Sequence, residues 1–320
     1  MDSGFGMLDP PMKPKPVLAL IGCGRWGVHI LRDLVSLGCE VHVAANSTAS
    51  RERAVAGGAA SFRERADDLP AVSGAVVAVP TVWHADIIRQ LMPRDIPIFV
   101  EKPMTPDAEE AKQLAAELSG RLFVMDKWRY HPGIEALRDV AQSGEMGPVI
   151  GLSTWRLDWG SPHDDVDAVW ILAPHDLSIA LEILGHIPEP RAVVAEPGAK
   201  GLSSLSAILG SDPWLRLEVS ELYPTKRREV RLHLRDGTAV LADGYDTHVE
   251  ITRRGPDGAP LVERRLVGDA MPLYRELEAF VGHLAGGPAP RSSAAEGAEV
   301  VDVVARLRAM ARAAPDMSQP

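Results

Sequence analysis

Residues 17–27 read Val-Leu-Ala-Leu-Ile-Gly-Cys-Gly-Arg-Trp-Gly, and this stretch decides the fold of the 320-residue chain. The first five residues are an apolar run long enough for a buried strand. Gly22, Gly24 and Gly27 follow in Gly-x-Gly-x-x-Gly spacing, and apolar residues at helical spacing then continue as far as Gly38. A strand, a glycine-rich turn and a helix in this order are typical of a dinucleotide-binding unit.

Each glycine of this turn has a separate physical reason. Gly22 permits the tight turn, Gly24 lets the backbone approach a pyrophosphate, and Gly27 lets the helix pack closely on the strand. The helix N-terminus supplies free N–H groups and a positive dipole end to the anion. We therefore expect these glycines, with Arg25 and Trp26 between them, to bind a dinucleotide. The alternative is an ordinary turn that opens a helix.

The residue that ends the second predicted strand, residues 40–45, bears on the choice of cofactor. An acid at that place would hold the ribose 2′-hydroxyl of NAD. This chain has Asn46, followed by Ser47, Thr48 and, one turn later, Arg51. Because hydroxyls and an arginine suit a 2′-phosphate, the sequence favours NADP over NAD. The alternative is that Arg51 is a solvated helix residue.

Strands and helices alternate as far as about residue 125, which predicts a doubly wound parallel sheet. The further predicted strands are residues 74–79, 96–100 and 122–125, and the helices are residues 49–56, 84–92 and 107–118. Ligands of such sheets lie beyond the carboxyl ends of the strands. We therefore expect a shared crevice there, with cofactor contacts from Pro80, Thr81, His84, Glu101 and Lys102.

The bulk composition narrows the class of protein. The chain is 46% hydrophobic and 24% charged, with a net charge of −10 and no basic tract, which argues against nucleic acid as the main partner. No apolar run has membrane-spanning length, residues 1–15 read as a disordered lead-in, and the two cysteines form no metal-like spacing. We expect a cytoplasmic protein without a bound metal.

In the second half of the chain, predicted strands follow one another without helices between most of them. The predicted strands are residues 149–159, 191–195, 203–209, 214–222, 229–234 and 238–243. Apolar and polar residues alternate in them, which predicts a mostly antiparallel sheet covered by helices on a single face. A helix over residues 177–184 would place His175 at its start, and two amphipathic helices, residues 272–285 and 294–312, end the chain. We expect the open polar face, which carries Trp214, Arg216 and Arg231, to form a homodimer or homotetramer.

Several motifs in this order resemble the Gfo/Idh/MocA oxidoreductase family along nearly the whole chain. They are Gly-Cys-Gly-Arg-Trp-Gly at residues 22–27, Pro-Thr-Val-Trp-His at 80–84, Glu-Lys-Pro at 101–103, Arg-Tyr-His-Pro at 129–132, Gly-Glu-Met-Gly at 144–147, Ala-Pro-His-Asp at 173–176 and Met-Pro-Leu at 271–273. The resemblance implies a Rossmann domain over residues 16–127. It also implies a substrate-binding and oligomerisation domain over residues 128–320, with the last helices packing back on the first domain. Members are mostly NAD(P)-dependent enzymes of sugars, and the block from residue 155 to 176 is most similar to the nucleotide-sugar branch.

The resemblance also implies roles for particular residues. Lys102 corresponds to the lysine beside the nicotinamide, His175 to the acid/base histidine, and Arg129 to a cofactor-binding position. Many members have an aspartate four residues before the histidine, where this chain has Ile171. The second catalytic group is therefore open. Candidate substrate contacts are Arg156, Asp158, Trp159, Trp170 and Asp176, although buried tryptophan is commonly core and Asp176 also suits a helix cap.

Hydride transfer requires a proton to join or leave the oxygen whose carbonyl character changes. A histidine titrates near neutral pH and serves either direction, and a lysine stabilises a developing alkoxide. We therefore expect an oxidoreductase of a sugar or nucleotide sugar. Two alternatives stay open: a reductase of a ketone or imine in a specialised pathway, and a cofactor-binding regulator without turnover.

Overall fold

The structure is a computed structural model that describes residues 16–160 and 165–313. The expected lead-in, residues 1–15, lies outside the described residues. The strands are β1 (Val17–Ile21), β2 (Glu40–Ala44), β3 (Ser61–Arg63), β4 (Gly74–Val77), β5 (Ile98–Glu101), β6 (Leu122–Met125), β7 (Val149–Trp159), β8 (Pro190–Gly198), β9 (Gly201–Gly210), β10 (Trp214–Ser220), β11 (Leu222–Leu234), β12 (Gly237–Leu241), β13 (His248–Arg254) and β14 (Pro260–Leu266). The α-helices are α1 (Gly27–Ser36), α2 (Thr48–Ala56), α3 (His84–Leu91), α4 (Ala108–Glu117), α5 (Pro132–Ser143), α6 (Ala168–Leu184), α7 (Pro272–Leu284) and α8 (Ala294–Ala313).

The first sheet contains six parallel strands in the order β3-β2-β1-β4-β5-β6. This is the order of a dinucleotide-binding doubly wound sheet, whose strand order reverses between β1 and β4. The expected fold of the first half is therefore confirmed. The carboxyl ends of β1, β4, β5 and β6 lie along one edge, and this edge carries the candidate site.

The second sheet contains eight strands in the order β14-β13-β12-β11-β7-β10-β9-β8. Only β7 and β10 pair in parallel among its described strands, so the expected mostly antiparallel sheet is confirmed. On β10, Leu215, Leu217 and Val219 are fully buried, because they face α6. The opposite face leaves apolar side chains exposed, among them Val194 and Ile208.

Helix α6 begins earlier than the sequence pattern indicated. Its first residue is Ala168, and the Asp167 side chain caps it by accepting a hydrogen bond from the Trp170 N–H at 3.3 Å. His175 therefore lies in the middle of the helix, after Pro174, and the predicted start near residue 177 is wrong. Most of this helix is buried on every side, so it shows no amphipathic pattern from which its start can be found.

Other differences concern the edges of the sheets. β10 ends at Ser220, and the predicted strand of residues 229–234 is the second half of the long β11. The short β3, helix α5 and the edge strands β13 and β14 were not predicted. β14 is exposed along almost its whole length and therefore shows no burial alternation.

The two last helices pack back on the parallel sheet. On α7, Phe280 stacks on Phe99 of β5 with ring centroids 4.9 Å apart. At the start of α8, Ser293 forms a β-bridge with Phe123 of β6. These contacts tie the end of the chain to the sheet that carries the glycine-rich turn.

Candidate active site

The glycine-rich turn forms a cradle at the carboxyl end of β1. Gly22 has a φ of +94°, and a Cβ on it would lie 2.5 Å from the carbonyl oxygen of Ala78. A Cβ on Gly27 would collide with the Gly22 carbonyl, whereas a Cβ on Gly24 would meet no atom within 4 Å. The outer two glycines are therefore required by the fold, and Gly24 faces open space beside the N-terminus of α1. That space suits a pyrophosphate.

Arg53 on α2 holds this turn, and sequence reasoning did not single it out. Its Nε donates to the carbonyl oxygen of Cys23 at 2.8 Å, and a second guanidinium nitrogen lies 3.4 Å from the Ser50 hydroxyl. The signal that could have identified it is its position two residues after Arg51, on the helix that follows the second strand. Arg53 thus couples the glycine-rich turn to the region that contacts the adenosine ribose in such folds.

The residues beyond β2 lie outside the main cavity. Ser47 caps α2, because its hydroxyl accepts from the Ser50 N–H at 3.1 Å. Asn46, Thr48 and Arg51 are exposed, and the Arg51 guanidinium lies 5.7 Å from the centre of the Phe62 ring. In this part of the site the structure shows accessible polar groups and no carboxylate at position 46.

A cavity of about 450 Å³ opens at the strand ends between the two sheets; we call it the reaction cavity. Nine residues proposed from the sequence line it: Trp26, Pro80, Thr81, His84, Glu101, Lys102, Arg156, Asp158 and His175. The strand-end rule thus brings the first six of them together, and β7 and α6 contribute the others.

Lys102 projects across the cavity towards α6. Its ammonium donates to the main-chain carbonyl oxygen of Ile171 at 3.0 Å. This carbonyl belongs to the residue that stands where many relatives have an aspartate, so a neutral acceptor orients the lysine. Burial lowers the pKa of Lys102 to about 8, although Glu101 and Asp126 oppose the shift. Lys102 therefore exchanges its proton within reach of neutral pH.

His175 lies one helical turn after Ile171 and lines the same cavity. Its Nδ1 is buried without a hydrogen-bond partner among the described residues. Burial, together with the positive charges of Lys102, Arg156, Lys127 and Arg228, holds the pKa of His175 well below its usual value. The imidazole is therefore neutral at pH 7.

Arg156 and Asp176 form a buried ion pair between β7 and α6. Two guanidinium nitrogens lie 3.3 and 3.1 Å from the two carboxylate oxygens. The Arg156 guanidinium also lies over the Trp128 ring at 4.4 Å. Asp176 is thus neither a helix cap nor part of the cavity wall. It orients Arg156, and the pairing fixes α6, with His175, against β7.

A second group of contacts fixes the rim near the cofactor turn. The Trp26 indole N–H donates to the Glu101 carboxylate, which also accepts from the Lys102 N–H at 3.2 Å. Burial raises the pKa of Glu101. The His84 ring nitrogens lie 2.9 Å from the carbonyl oxygen of Pro103 and 3.0 Å from that of Val79, so His84 braces the strand ends.

Besides Asp176 and the residues beyond β2, three more proposed site residues do not line the reaction cavity. Arg129 is buried and bonded to Glu182 and Glu296, so its charge is used in an ion-pair network. Trp159 points to the opposite face of β7 from Asp158 and is 70% exposed, because successive strand residues alternate in direction. Trp170 is core, with the Arg308 guanidinium 5.4 Å from its ring.

Other lining residues, among them Lys127, Arg228 and Tyr245, were missed. Lys127 follows β6 almost directly, so the strand-end rule was a usable signal for it. Arg228 pairs with Arg156 across β11 and β7, on the face that buries Val230 and Leu232. A charge on the apolar face of a strand is the pattern that indicates a site residue there.

The geometry joins a doubly wound sheet and its glycine-rich turn to a cavity that is lined by Lys102 at the end of β5 and His175 of α6. Residues 17–124 match the model of the GFO_IDH_MocA family, described as an oxidoreductase family with an NAD-binding Rossmann fold. Over these residues the resemblance expected from the motifs is confirmed.

Curated relatives match over part of their length. The rhizopine catabolism protein MocA of Rhizobium meliloti is 31% identical over 153 residues, which cover 45% of this chain and 48% of that protein. The inositol 2-dehydrogenase of Arthrobacter sp. (strain FB24) is 34% identical over 146 residues, or 42% and 43% of the two chains. The chain thus spans less than half the length of these relatives.

A solved structure shares the whole fold. UDP-N-acetylglucosamine 3-dehydrogenase GnnA from Acidithiobacillus ferrooxidans is 23% identical, with a TM-score of 0.80, and the match covers 94% of this chain and 99% of that one. Within residues 16–160 and 165–313, no helix is long and apolar enough to cross a membrane. The same ranges contain no group of three or more His, Cys, Asp or Glu residues placed to hold a metal ion.

Proposed function

We propose that the protein is an NAD(P)-dependent oxidoreductase that transfers a hydride between nicotinamide and a hydroxyl or keto carbon of a sugar-like substrate. The observation that carries the proposal is the meeting of Lys102 and His175 in one cavity beside the glycine-rich turn. The names of the relatives, an inositol dehydrogenase and a UDP-sugar dehydrogenase, support a polyol or sugar as the substrate class.

The turn fits a dinucleotide, because Gly24 leaves open space where a Cβ would stand. The bound nicotinamide supplies or accepts the hydride. Trp26, Pro80, Thr81 and Glu101 line the cavity and would hold the nicotinamide. Lys102, oriented by the Ile171 carbonyl, points its positive charge at the substrate oxygen and stabilises the developing alkoxide.

His175 is the proton carrier in this proposal. Its depressed pKa keeps the imidazole neutral, with a ring nitrogen available as the base. In alcohol oxidation this nitrogen accepts the hydroxyl proton while the hydride leaves the carbon that bears the hydroxyl. In the reverse direction it returns that proton to the oxygen. The buried Arg156–Asp176 pair holds the helix that positions the imidazole.

The cofactor preference is a finer part of the proposal. We infer that NADPH binds more tightly than NADH, because Asn46 replaces an acid while Ser47, Thr48 and Arg51 offer accessible donors. Arg53 adds a second guanidinium in the same region. A neutral or basic environment removes the repulsion that a carboxylate exerts on a 2′-phosphate.

The assembly is a further part of the proposal. The open face of the second sheet exposes Val194, Ile208, Leu222 and Tyr223, which favours burial against a second copy of the chain. Light scattering at micromolar concentration should therefore give the mass of a dimer or tetramer. A monomeric mass would contradict this part alone.

The function is tested by following absorbance at 340 nm with NAD⁺ and NADP⁺ against a panel of inositols, hexoses and nucleotide sugars. We expect turnover with at least one of them, and its loss in His175→Ala. The matched control is His186→Ala, since His186 is exposed at the end of α6. Dinucleotide binding without turnover of any carbonyl or alcohol would favour a cofactor-binding regulator instead.

A further inference from the structure

Trp26 connects the glycine-rich turn to the carboxylate beside Lys102. It stands between Gly24 and Gly27, and its side chain lines the reaction cavity. Its indole N–H donates to one oxygen of the Glu101 carboxylate. The other oxygen accepts from the Lys102 main-chain N–H at 3.2 Å. Two donors from different elements therefore fix both oxygens of this carboxylate.

Glu101 is the carboxylate best placed to act on Lys102. Within the described ranges three carboxylates line the reaction cavity: Glu101, Asp158 and Glu221. Asp158 lies 3.5 Å from the Arg228 guanidinium, and Glu221 accepts from a serine hydroxyl of β9 at 2.7 Å. Burial lowers the pKa of Lys102, and the negative charge of Glu101 is the largest effect that opposes this shift.

A neighbouring carboxyl shows what the donors contribute to Glu101. Glu276 of α7 is 1% exposed, and its Oε2 is buried without a hydrogen-bond partner among the described residues. Burial and the charge of Glu101 hold the pKa of Glu276 well above its usual value, so this carboxyl favours the neutral form. Burial also raises the pKa of Glu101, but Lys102, Lys127 and the two N–H donors oppose the shift. The hydrogen bonds thus help Glu101 to stay ionised.

Further charged groups act on the same pair. Lys127, which follows β6, favours the ionised form of Glu101 and disfavours the charged form of Lys102. Asp126, at the end of β6, favours charged Lys102, and Arg156 of β7 disfavours it. These groups belong to β6 and β7 or to the turn after β6. The indole N–H is therefore the contact through which the glycine-rich turn acts on the pair.

We propose that Trp26 is a positioning residue for the reaction: its indole N–H holds the Glu101 carboxylate ionised beside Lys102, and this negative charge keeps the lysine in its ammonium form. The inference rests on the proposed function, since Lys102 is the group assigned there to the substrate oxygen. It gives Trp26 a role that is separate from any contact with the dinucleotide. The glycine-rich turn then contributes to the chemistry as well as to binding.

The test measures the pKa of the Lys102 amine in the full chain, without cofactor or substrate. Trace acetylation with acetic anhydride at a series of pH values is followed by mass spectrometry of the peptide that contains Lys102. Because the unprotonated amine is the form that reacts, the midpoint of the labelling curve gives the pKa. Lys112, exposed on α4, is the internal reference in every digest. We expect a midpoint of about 8 for Lys102 in the unmodified chain.

Three single variants separate the hydrogen bond from the ring. Trp26→Phe removes the indole N–H but keeps an aromatic ring for the Lys127 ammonium, which lies 4.2 Å from the centre of the Trp26 ring. We expect the Lys102 midpoint to fall by about half a unit, so that about a quarter of the lysine is charged at pH 8 instead of about half. Glu101→Gln should lower it by about one unit or more, because an adjacent opposite charge shifts a pKa by about 1–3 units. The matched control is Trp83→Phe, since Trp83 is 57% exposed and outside the cavity lining, and its midpoint should not change.

The double variant Trp26→Phe/Glu101→Gln decides whether Trp26 acts through Glu101. It should have the midpoint of Glu101→Gln alone, because the indole then has no carboxylate to hold. Two shifts that add in full, or a midpoint in Trp26→Phe that stays or rises, would overturn the proposal. Trp26 is 37% exposed, so we expect phenylalanine to leave the core intact, and thermal unfolding of each variant checks this. Failure of the unmodified chain to bind any nicotinamide dinucleotide would overturn the proposed function instead, because the labelling curve depends on neither binding nor turnover.

Discussion

The glycine-rich turn and the α6–β7 pair build the two halves of the candidate site in different ways. The turn is shaped by backbone geometry. Gly22 and Gly27 must be glycine because neighbouring carbonyl groups lie too close for a Cβ, and Gly24 leaves space for a ligand. The α6–β7 pair is held by buried side chains. The ion pair of Arg156 with Asp176 fixes the helix on which His175 lies. We therefore expect cofactor binding to depend on the missing side chain of Gly24. The proposed proton transfer should depend on buried charged residues that separate elements, β7 and α6, bring together.

The sharpest test of the backbone half is Gly24→Val. A Cβ at residue 24 would meet no protein atom within 4 Å, and the valine side chain would fill the place of the pyrophosphate. We therefore expect dinucleotide binding to be lost and the melting temperature to change little. NADPH fluorescence and thermal unfolding measure the two effects.

Two other glycine variants serve as controls for Gly24→Val. Gly282→Val also meets open space but lies on α7, away from the turn, and should bind normally. Gly27→Val should destabilise the fold itself, because its side chain collides with the Gly22 carbonyl. If Gly24→Val kept its affinity, the turn would not be the cofactor site.

The sharpest test of the side-chain half is His175→Ala. We expect turnover to fall by about 10²–10⁴, the usual contribution of a positioned proton carrier, while cofactor binding is retained. Lys102→Met should cost a comparable factor, since it removes the charge beside the developing alkoxide. Steady-state kinetics on the active substrate decide the point. Near-normal turnover of His175→Ala would mean that another group moves the proton.

The same contrast explains what could be predicted from the sequence. The parallel sheet, the turn and the strand-end residues Pro80, Glu101 and Lys102 follow from local patterns, because strand ends of a doubly wound sheet share one edge. The middle position of His175 in α6 could not be predicted, because a helix buried on all sides has no amphipathic period. The pairing of Arg156 with Asp176 depends on the contact of α6 with β7, which no local spacing encodes.

Removal of one member of the buried pair should lower the free energy of unfolding more than removal of an exposed charge does. Asp176→Asn leaves the Arg156 cation buried without its counter-ion, so we expect a loss of about 3–5 kcal/mol in the free energy of unfolding. Asp139→Asn removes an exposed partner of Arg138 and should cost no more than about 1 kcal/mol. Urea denaturation compares the two. Equal losses would show that the α6–β7 contact does not depend on this charge pair.

Variants of the residues proposed to select the cofactor should have a smaller effect, which is on the affinity for NADPH. Arg51→Ala should weaken NADPH binding by roughly tenfold to a hundredfold, the value of a charge-assisted contact, and leave NADH unchanged. Arg53→Ala should weaken both, because Arg53 holds the Cys23 carbonyl of the turn. Arg89→Ala, on the exposed side of α3, is the control. Equal affinity of the unmodified chain for the two cofactors would contradict the preference for NADP.

The smallest effect at neutral pH, and the most specific, concerns Lys102. Burial lowers its pKa to about 8, and the proposed role requires the charged form, so turnover should be highest below pH 8 and fall as the pH rises through that value. At pH 9 roughly a tenth of the lysine keeps its proton, so the rate should drop about tenfold from its value at pH 7. Lys102→Arg stays charged and should lose this alkaline decline, whereas Lys112→Arg, on the exposed face of α4, should keep it.

The Ile171→Asp variant tests whether the neutral surroundings of Lys102 on α6 set the pH at which turnover declines. The Lys102 ammonium now rests on the Ile171 carbonyl, and a carboxylate at this residue would stabilise the charged lysine. The alkaline decline should therefore move to higher pH, with the rate at pH 7 little changed and NADPH binding intact. A decline that stays near pH 8 in Ile171→Asp, or persists in Lys102→Arg, would show that the titrating group is not Lys102. The titrating group would then have to be sought in Lys127, the second lysine that lines the cavity, because burial lowers its pKa as well.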